Sequence, residues 1–319
     1  MDTVIINGLA FALPLFAIAI GGIFSERAGI VNLALEGLQG FGAFTGALVV
    51  VLLTRNVAHN ATFLPYLALF MAMIGGAAYA SLHALLCVKF KANQIISGVV
   101  VNILGIALTA FFTRRINALV FNESSERFRL SIFPRFSVPV LSDIPVIGAF
   151  FTNLFPFQVI IMVIALIAYY VLYKTKFGLR LRACGENPQA VDAVGASVAK
   201  TRFFAVMISG ALAGLGGMSF AYSITTEFSP LLYMGFGFLA IAALIFGNWK
   251  IVPAFFACLI FGFARSGGHW VAQRLEVSAA FLDLTMILPY LITLLLLMYF
   301  SKNNQMPRAL GEIYDKGKR

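Results

Sequence analysis

Apolar segments of membrane-crossing length recur along this chain with so little between them that most fold classes are closed to it. They are read at about Val4–Phe24, Ile30–Thr54, Phe63–Val88, Asn93–Phe112, Phe157–Tyr173, Phe203–Tyr222, Leu231–Phe246, Ile251–Phe263 and Leu282–Phe300. A helix rises 1.5 Å per residue, so about 20 apolar residues cover a hydrocarbon core of about 30 Å. The chain is 61% hydrophobic and 11% charged, whereas a soluble domain carries roughly a quarter of its residues charged. The expected fold is therefore all-α, a polytopic transmembrane bundle of about nine spans within a range of about eight to ten. Two features set that range: Ile251–Phe263 is short, and residues 145–173 must cross once. The whole chain, 1–319, reads as one transmembrane domain with no separate soluble part.

The basic residues are not spread evenly over the loops. One set of alternate loops holds 15 of the 23 Lys and Arg: Arg27, Lys89, Lys91, the run from Lys174 to Arg202, Lys250 and the C-terminal tail. The other set holds 8, including five in residues 113–155. The richer side is expected to be cytoplasmic, which puts the N-terminus outside, residues 113–155 outside, and the tail 301–319 inside. A net charge of +10 could suggest nucleic acid. The membrane accounts for it more simply, because the charges flank apolar spans and face an anionic inner leaflet. Residues 1–23 lack a basic start and a small-residue cleavage site, so they read as a retained span.

The longest patterned polar loop runs from residue 174 to 202. It contains Gly178-Leu-Arg180-Leu-Arg182-Ala-Cys-Gly185-Glu186-Asn187-Pro188-Gln-Ala190-Val-Asp-Ala-Val-Gly195. Asn187 suits an N-cap, Pro188 the first helical position, and Gly195 the residue past a helix end. That predicts a helix of about two turns, too short to stand alone in water. It must lie against something, either lipid headgroups or a partner protein.

The pattern G-x-R-x-R-A-x-G-E-N-P-x-A-x-x-x-x-G closely resembles the cytoplasmic loop of ABC importer permeases in the branched-chain amino acid, simple-sugar and nucleoside group. The resemblance extends to Phe24-Ser-Glu-Arg-Ala-Gly-Ile-Val-Asn-Leu-Ala-Leu-Glu36-Gly37 and to Gly235-Phe236-Gly-Phe238-Leu-Ala-Ile-Ala242. The first of these looks most like the nucleoside and simple-sugar permeases. The resemblance as a whole is nearest the guanosine type and implies a nucleoside as solute, with a simple sugar or branched-chain amino acid as the alternative. The resemblance implies that the short helix is a coupling helix seated in a cleft of a separate ATP-binding subunit. Arg180, Arg182, Gly185, Glu186, Asn187, Pro188, Ala190 and Gly195 would serve that contact. It also implies alternating access, a second and longer permease, and an extracytoplasmic binding lipoprotein or periplasmic protein. The site would be a bacterial cytoplasmic membrane.

The residues themselves allow less. Glu36 is the clearest carboxylate inside an apolar segment, with Asn32 one turn earlier. It reads as an interhelical hydrogen bond or as part of a solute path. Asn93, Gln94, Ser97 and Asn102 form a second polar line with the same two readings, and Phe236 and Phe238 are candidates to line or gate a path. His59, His83 and His269 have no partner at metal-ligand spacing, and Cys87, Cys184 and Cys258 show no CxxC spacing. No metal, cofactor or catalytic residue is expected. No G-x-x-x-x-G-K-[ST] occurs, so ATP and Mg would be bound by a partner. An ion-coupled transporter is the competing class, but it generally needs more intramembrane carboxylate than Glu36 supplies.

Overall fold

The computed structural model describes residues 2–54, 61–145, 147–275, 287, 289–292, 295 and 305–316. The helices are α1 (Asp2–Arg27), α2 (Leu35–Leu53), α3 (Leu64–Ala84), α4 (Gln94–Ile116), α5 (Pro156–Lys174), α6 (Lys176–Glu186), α7 (Pro188–Ala193), α8 (Val198–Phe220), α9 (Phe236–Phe246) and α10 (Ile251–Arg274). Single π-turns prolong α3, α4 and α8. Seven of the described helices are long and apolar enough to cross a membrane: α1, α2, α3, α4, α5, α8 and α10. The expected span at about Leu231–Phe246 is the 11-residue α9, and the one at about Leu282–Phe300 lies mostly outside the described residues.

α1 is the hub because it is apolar all round: every residue from Gly8 to Glu26 is buried. α8 packs along it, with α9 and α10 on its flanks. α2, α3 and α8 form a second tight group through small residues. A side chain on Gly42 would strike the Gly214 backbone, and one on Gly76 the Gly210 carbonyl. Gly42 and Gly46 in α2 and Gly210 and Gly214 in α8, each pair four residues apart, thus let backbones approach inside one subunit. On the periphery α4, α5 and α10 expose Ile96, Ile103, Phe111, Leu166, Tyr170 and Phe256. These apolar faces suit lipid or a neighbouring subunit, not water.

One expectation needs revising. Ile251–Phe263 is not a short span: the helix continues through Arg265-Ser-Gly-Gly-His-Trp to Arg274, 24 residues in all. Gly267 and Gly268 do not break it, because nothing there forces the backbone out and no Pro follows. Between residues 113 and 155, α4 runs on to Ile116. A strand β1 (Phe128–Arg129) then pairs antiparallel with β2 (Glu227–Phe228), and two 3-10 turns follow. This region is pinned to the end of α8, with Arg127 and Glu227 paired at 3.3 Å.

Candidate functional site

At one end of the bundle, the patterned loop forms two helices where the sequence suggested one. Thr175 separates α5 from α6, its hydroxyl accepting from Gly178 N–H at 3.1 Å and donating to the Val171 carbonyl at 2.6 Å. α6 buries Gly178, Leu181, Cys184 and Gly185 and exposes Leu179, Arg180 and Glu186. Gly185 lies so close to α1 that a Cβ there would overlap the Arg27 carbonyl. Arg182 reaches back to the Gly178 carbonyl (3.3 Å) and sits 5.5 Å from the Tyr173 ring centre.

The short helix α7 has the caps expected of it. The Asn187 side chain accepts from Ala190 N–H at 3.0 Å, Pro188 opens the helix, and Gly195 takes a positive φ of 78°. Val191 joins Cys184 and Val198 in a small apolar cluster covered by Tyr314. Burial raises the Cys184 thiol pKa, offset in part by the Arg202 charge and a Thr201 hydrogen bond. Gln189, Ala190, Ala193 and Val194 stay exposed, Val194 at 82%.

Three segments remote in sequence hold these helices. Arg202, buried in α8, donates to the carbonyls of Ala28 (3.0 Å), Glu312 (2.8 Å) and Cys184 (3.4 Å). Arg27 donates to the Trp249 carbonyl at 2.9 Å and stands 3.9 Å from Glu186. The tail crosses the same surface: Ala309 N–H bonds to the Gly185 carbonyl (2.8 Å) and Gly311 N–H to that of Gly29 (3.2 Å). Asp315 pairs with Lys91 at 2.8 Å, and Lys316 with Asp192 at 3.2 Å. Arg202 and the tail were missed as site residues, since a basic residue at a span edge and a polar C-terminus look like ordinary flanks.

The polar residues inside the spans mostly lash helices together. Asn32 donates to Ser209 Oγ at 2.8 Å and accepts from Ala34 N–H. Asn102 accepts from Gly37 N–H (2.7 Å) and donates to the Leu33 carbonyl (2.6 Å). Gln94 accepts from Val31 N–H at 2.7 Å, and exposed Asn93 is the N-cap of α4. His83 lies between Ser97 Oγ (2.8 Å) and the Val31 carbonyl (3.2 Å). Glu36 projects from α2 to the start of α9, where its carboxylate accepts from Gly235 N–H at 2.9 Å and faces those of Gly237 and Phe238. It thereby satisfies donors that a helix start leaves unpaired. The stretch from Phe24 to Gly37 thus touches both of the others: Gly185 lies on Arg27, and Glu36 on Gly235.

A larger opening lies elsewhere. A cavity of about 340 Å³ is lined by Asn7, Phe11, Ser223, Arg265, Ser266 and His269, among others. Another of about 220 Å³ is lined by Phe11, Phe236, Arg265 and Tyr290, among others. None of Asn32, Asn93, Gln94 and Asn102 lines either; Phe236 lines the second, and Phe238 is half exposed. Arg265, one of the eight basic residues on the poorer side, lies within α10 and not in a loop; Ser266-Gly267-Gly268-His269 after it hides this in the sequence.

Comparison with known proteins agrees with this architecture. The chain is 38% identical over 313 residues to the guanosine ABC transporter permease protein NupQ of Bacillus subtilis, covering 98% of this chain and 96% of that one. It is 38% identical to the nucleoside ABC transporter permease protein NupC of Lactococcus lactis, over 100% of this chain and 98% of that one. The nucleoside ABC transporter permease protein NupB of the same organism is 23% identical, over 80% and 69%. Residues 4–297 match the family described as branched-chain amino acid transport system / permease component, and the chain belongs to that family.

Proposed function

We propose that this chain is the permease subunit of an ATP-driven importer and carries nucleosides inward across a bacterial cytoplasmic membrane. The observation that carries the reading is the end-to-end match to two permeases of guanosine and nucleoside transporters. The physical chemistry agrees with it. A nucleoside is uncharged, with an apolar base face and several hydrogen-bonding groups, and spans nearly free of fixed charge can pass it without trapping an ion.

In this reading α6 and α7 face the cytoplasm and seat in a separate ATPase, which binds ATP and Mg. Closure of two ATPase copies pushes on α7, and the tight contacts of α6 with α1 and α8 pass the push to the hub helices. Packed helices move as units, so a local displacement becomes a rocking of the bundle. A second, longer permease completes the path; one organism's pair of nucleoside permeases, unequally similar to this chain, supports a heterodimer. An extracytoplasmic binding protein delivers the solute. The test is uptake of labelled guanosine, adenosine, uridine, ribose and leucine by cells with and without this subunit. Nucleoside uptake should fall on its removal; lost ribose or leucine uptake with unchanged nucleoside uptake would reject the assignment.

A further inference from the structure

We infer that Arg265, with Phe11 beside it, is the recognition centre for a 6-oxopurine nucleoside in transit, an inference that rests on the nucleoside reading above. Arg265 stands 15 residues beyond Lys250 in α10, or about 22 Å along the helix from the end that carries α6 and α7. A guanidinium in a spanning helix is costly and ordinarily faces a wet cavity or a partner charge. Among the described residues Arg265 has no carboxylate within ion-pair distance and no hydrogen-bond acceptor. Its cationic carbon lies 4.4 Å from the Phe11 ring centre and 5.6 Å from that of Phe236. Ring faces stabilise the charge but offer no lone pair, and although the Tyr290 hydroxyl acts on that charge, no hydrogen bond from the guanidinium to a described residue uses its N–H donors.

Both cavities described above are bordered by Arg265 and Phe11. The larger is within the size range of small-ligand pockets. Its described polar lining, besides Arg265, is Asn7, Ser223, Ser266 and His269, and His269 is bonded to Gln273 at 3.1 Å. Phe11, Phe220 and Phe236 pack against one another with ring centres 4.7–5.2 Å apart, an apolar wall of the kind a base face needs. An amino acid would bring its carboxylate to Arg265 but leave its ammonium unpaired, since among the described residues no acidic side chain lines either cavity. A guanidinium fork is matched by two adjacent acceptors. Guanine and hypoxanthine offer O6 and N7 on one edge, whereas adenine replaces O6 with an amino donor and pyrimidines lack N7. The hydroxyls of the ribose suit the polar lining.

The test uses the full complex of this chain, its ATPase and its second permease in proteoliposomes, with the same saturating binding protein throughout. Initial uptake of labelled guanosine, inosine, adenosine and uridine is measured per assembled complex, which co-purification quantifies. R265Q should lower guanosine and inosine uptake about tenfold or more, with adenosine and uridine changed less than about threefold. R265K, a point charge without the planar fork, should show the same selective loss. Wild-type guanosine uptake in either variant, or a parallel fall for all four solutes, overturns the assignment. Wild-type complexes that take up none of the four overturn the nucleoside reading, and this inference with it.

Discussion

Arg202 spends its guanidinium on three main-chain carbonyls from three parts of the chain. Replacing it with Met would leave those acceptors without a donor in a nearly dry setting, at a cost on the order of 2–5 kcal/mol. R202M should therefore lower the amount of folded protein in membranes and its melting temperature in detergent. A melting temperature within a degree or two of wild type would show that water replaces the arginine there. Gly185 makes the companion case. G185V should loosen α6 from α1, because its Cβ would overlap the Arg27 carbonyl, whereas R180A, on the exposed face, should leave melting unchanged and weaken ATPase association. Equal melting temperatures for G185V and R180A would contradict the packing described. At this scale the caps Asn187 and Pro188 were legible in the sequence, because a cap is a local contract between neighbouring residues. The partners of Arg202 and Glu36 lie 110 and 199 positions away, and no local pattern encodes such a distance.

α6 and α7 together are too short to persist by their own backbone hydrogen bonds. They hold because Leu181, Cys184 and Val191 are buried and because the tail ties them to the α1–α2 link. A chain ending at Asn304 should insert normally yet exchange its backbone amides faster through residues 176–195, and it should lose much of the solute-stimulated ATPase activity of the assembled complex. Hydrogen exchange in detergent reads the first effect and a phosphate-release assay the second. Unchanged protection in α6 and α7 would mean that the tail rests on them without supporting them. The apolar spans were legible at this scale because about 20 apolar residues admit few other fates. The extension of α10 was not, since Ser266-Gly267-Gly268-His269 has the composition of a turn, while the helix that runs on through it is held against α1 one turn earlier. There the Gly262 backbone meets Gly8 and Ala12.

For the molecule as a whole, the two ends of the bundle differ in charge and in build. One end carries α6, α7, the tail and their basic cluster; the other carries residues 113–155 pinned to the end of α8. The withdrawal of Arg265 into α10 widens the imbalance of Lys and Arg that the loops showed, so the end carrying α6 and α7 is expected in the cytoplasm. Gly185 is a poor reporter of this, being buried, while Arg180 and Glu123 are exposed at opposite ends. On a background lacking Cys87, Cys184 and Cys258, R180C should react with an impermeant thiol reagent only after cells are permeabilised. E123C should react in intact cells. Each variant controls for the other, since a failure of expression would silence both conditions, whereas an inverted topology would exchange the two patterns. Labelling of R180C in intact cells would place α7 outside, beyond reach of any cytoplasmic ATPase, and would remove the coupling role along with the orientation.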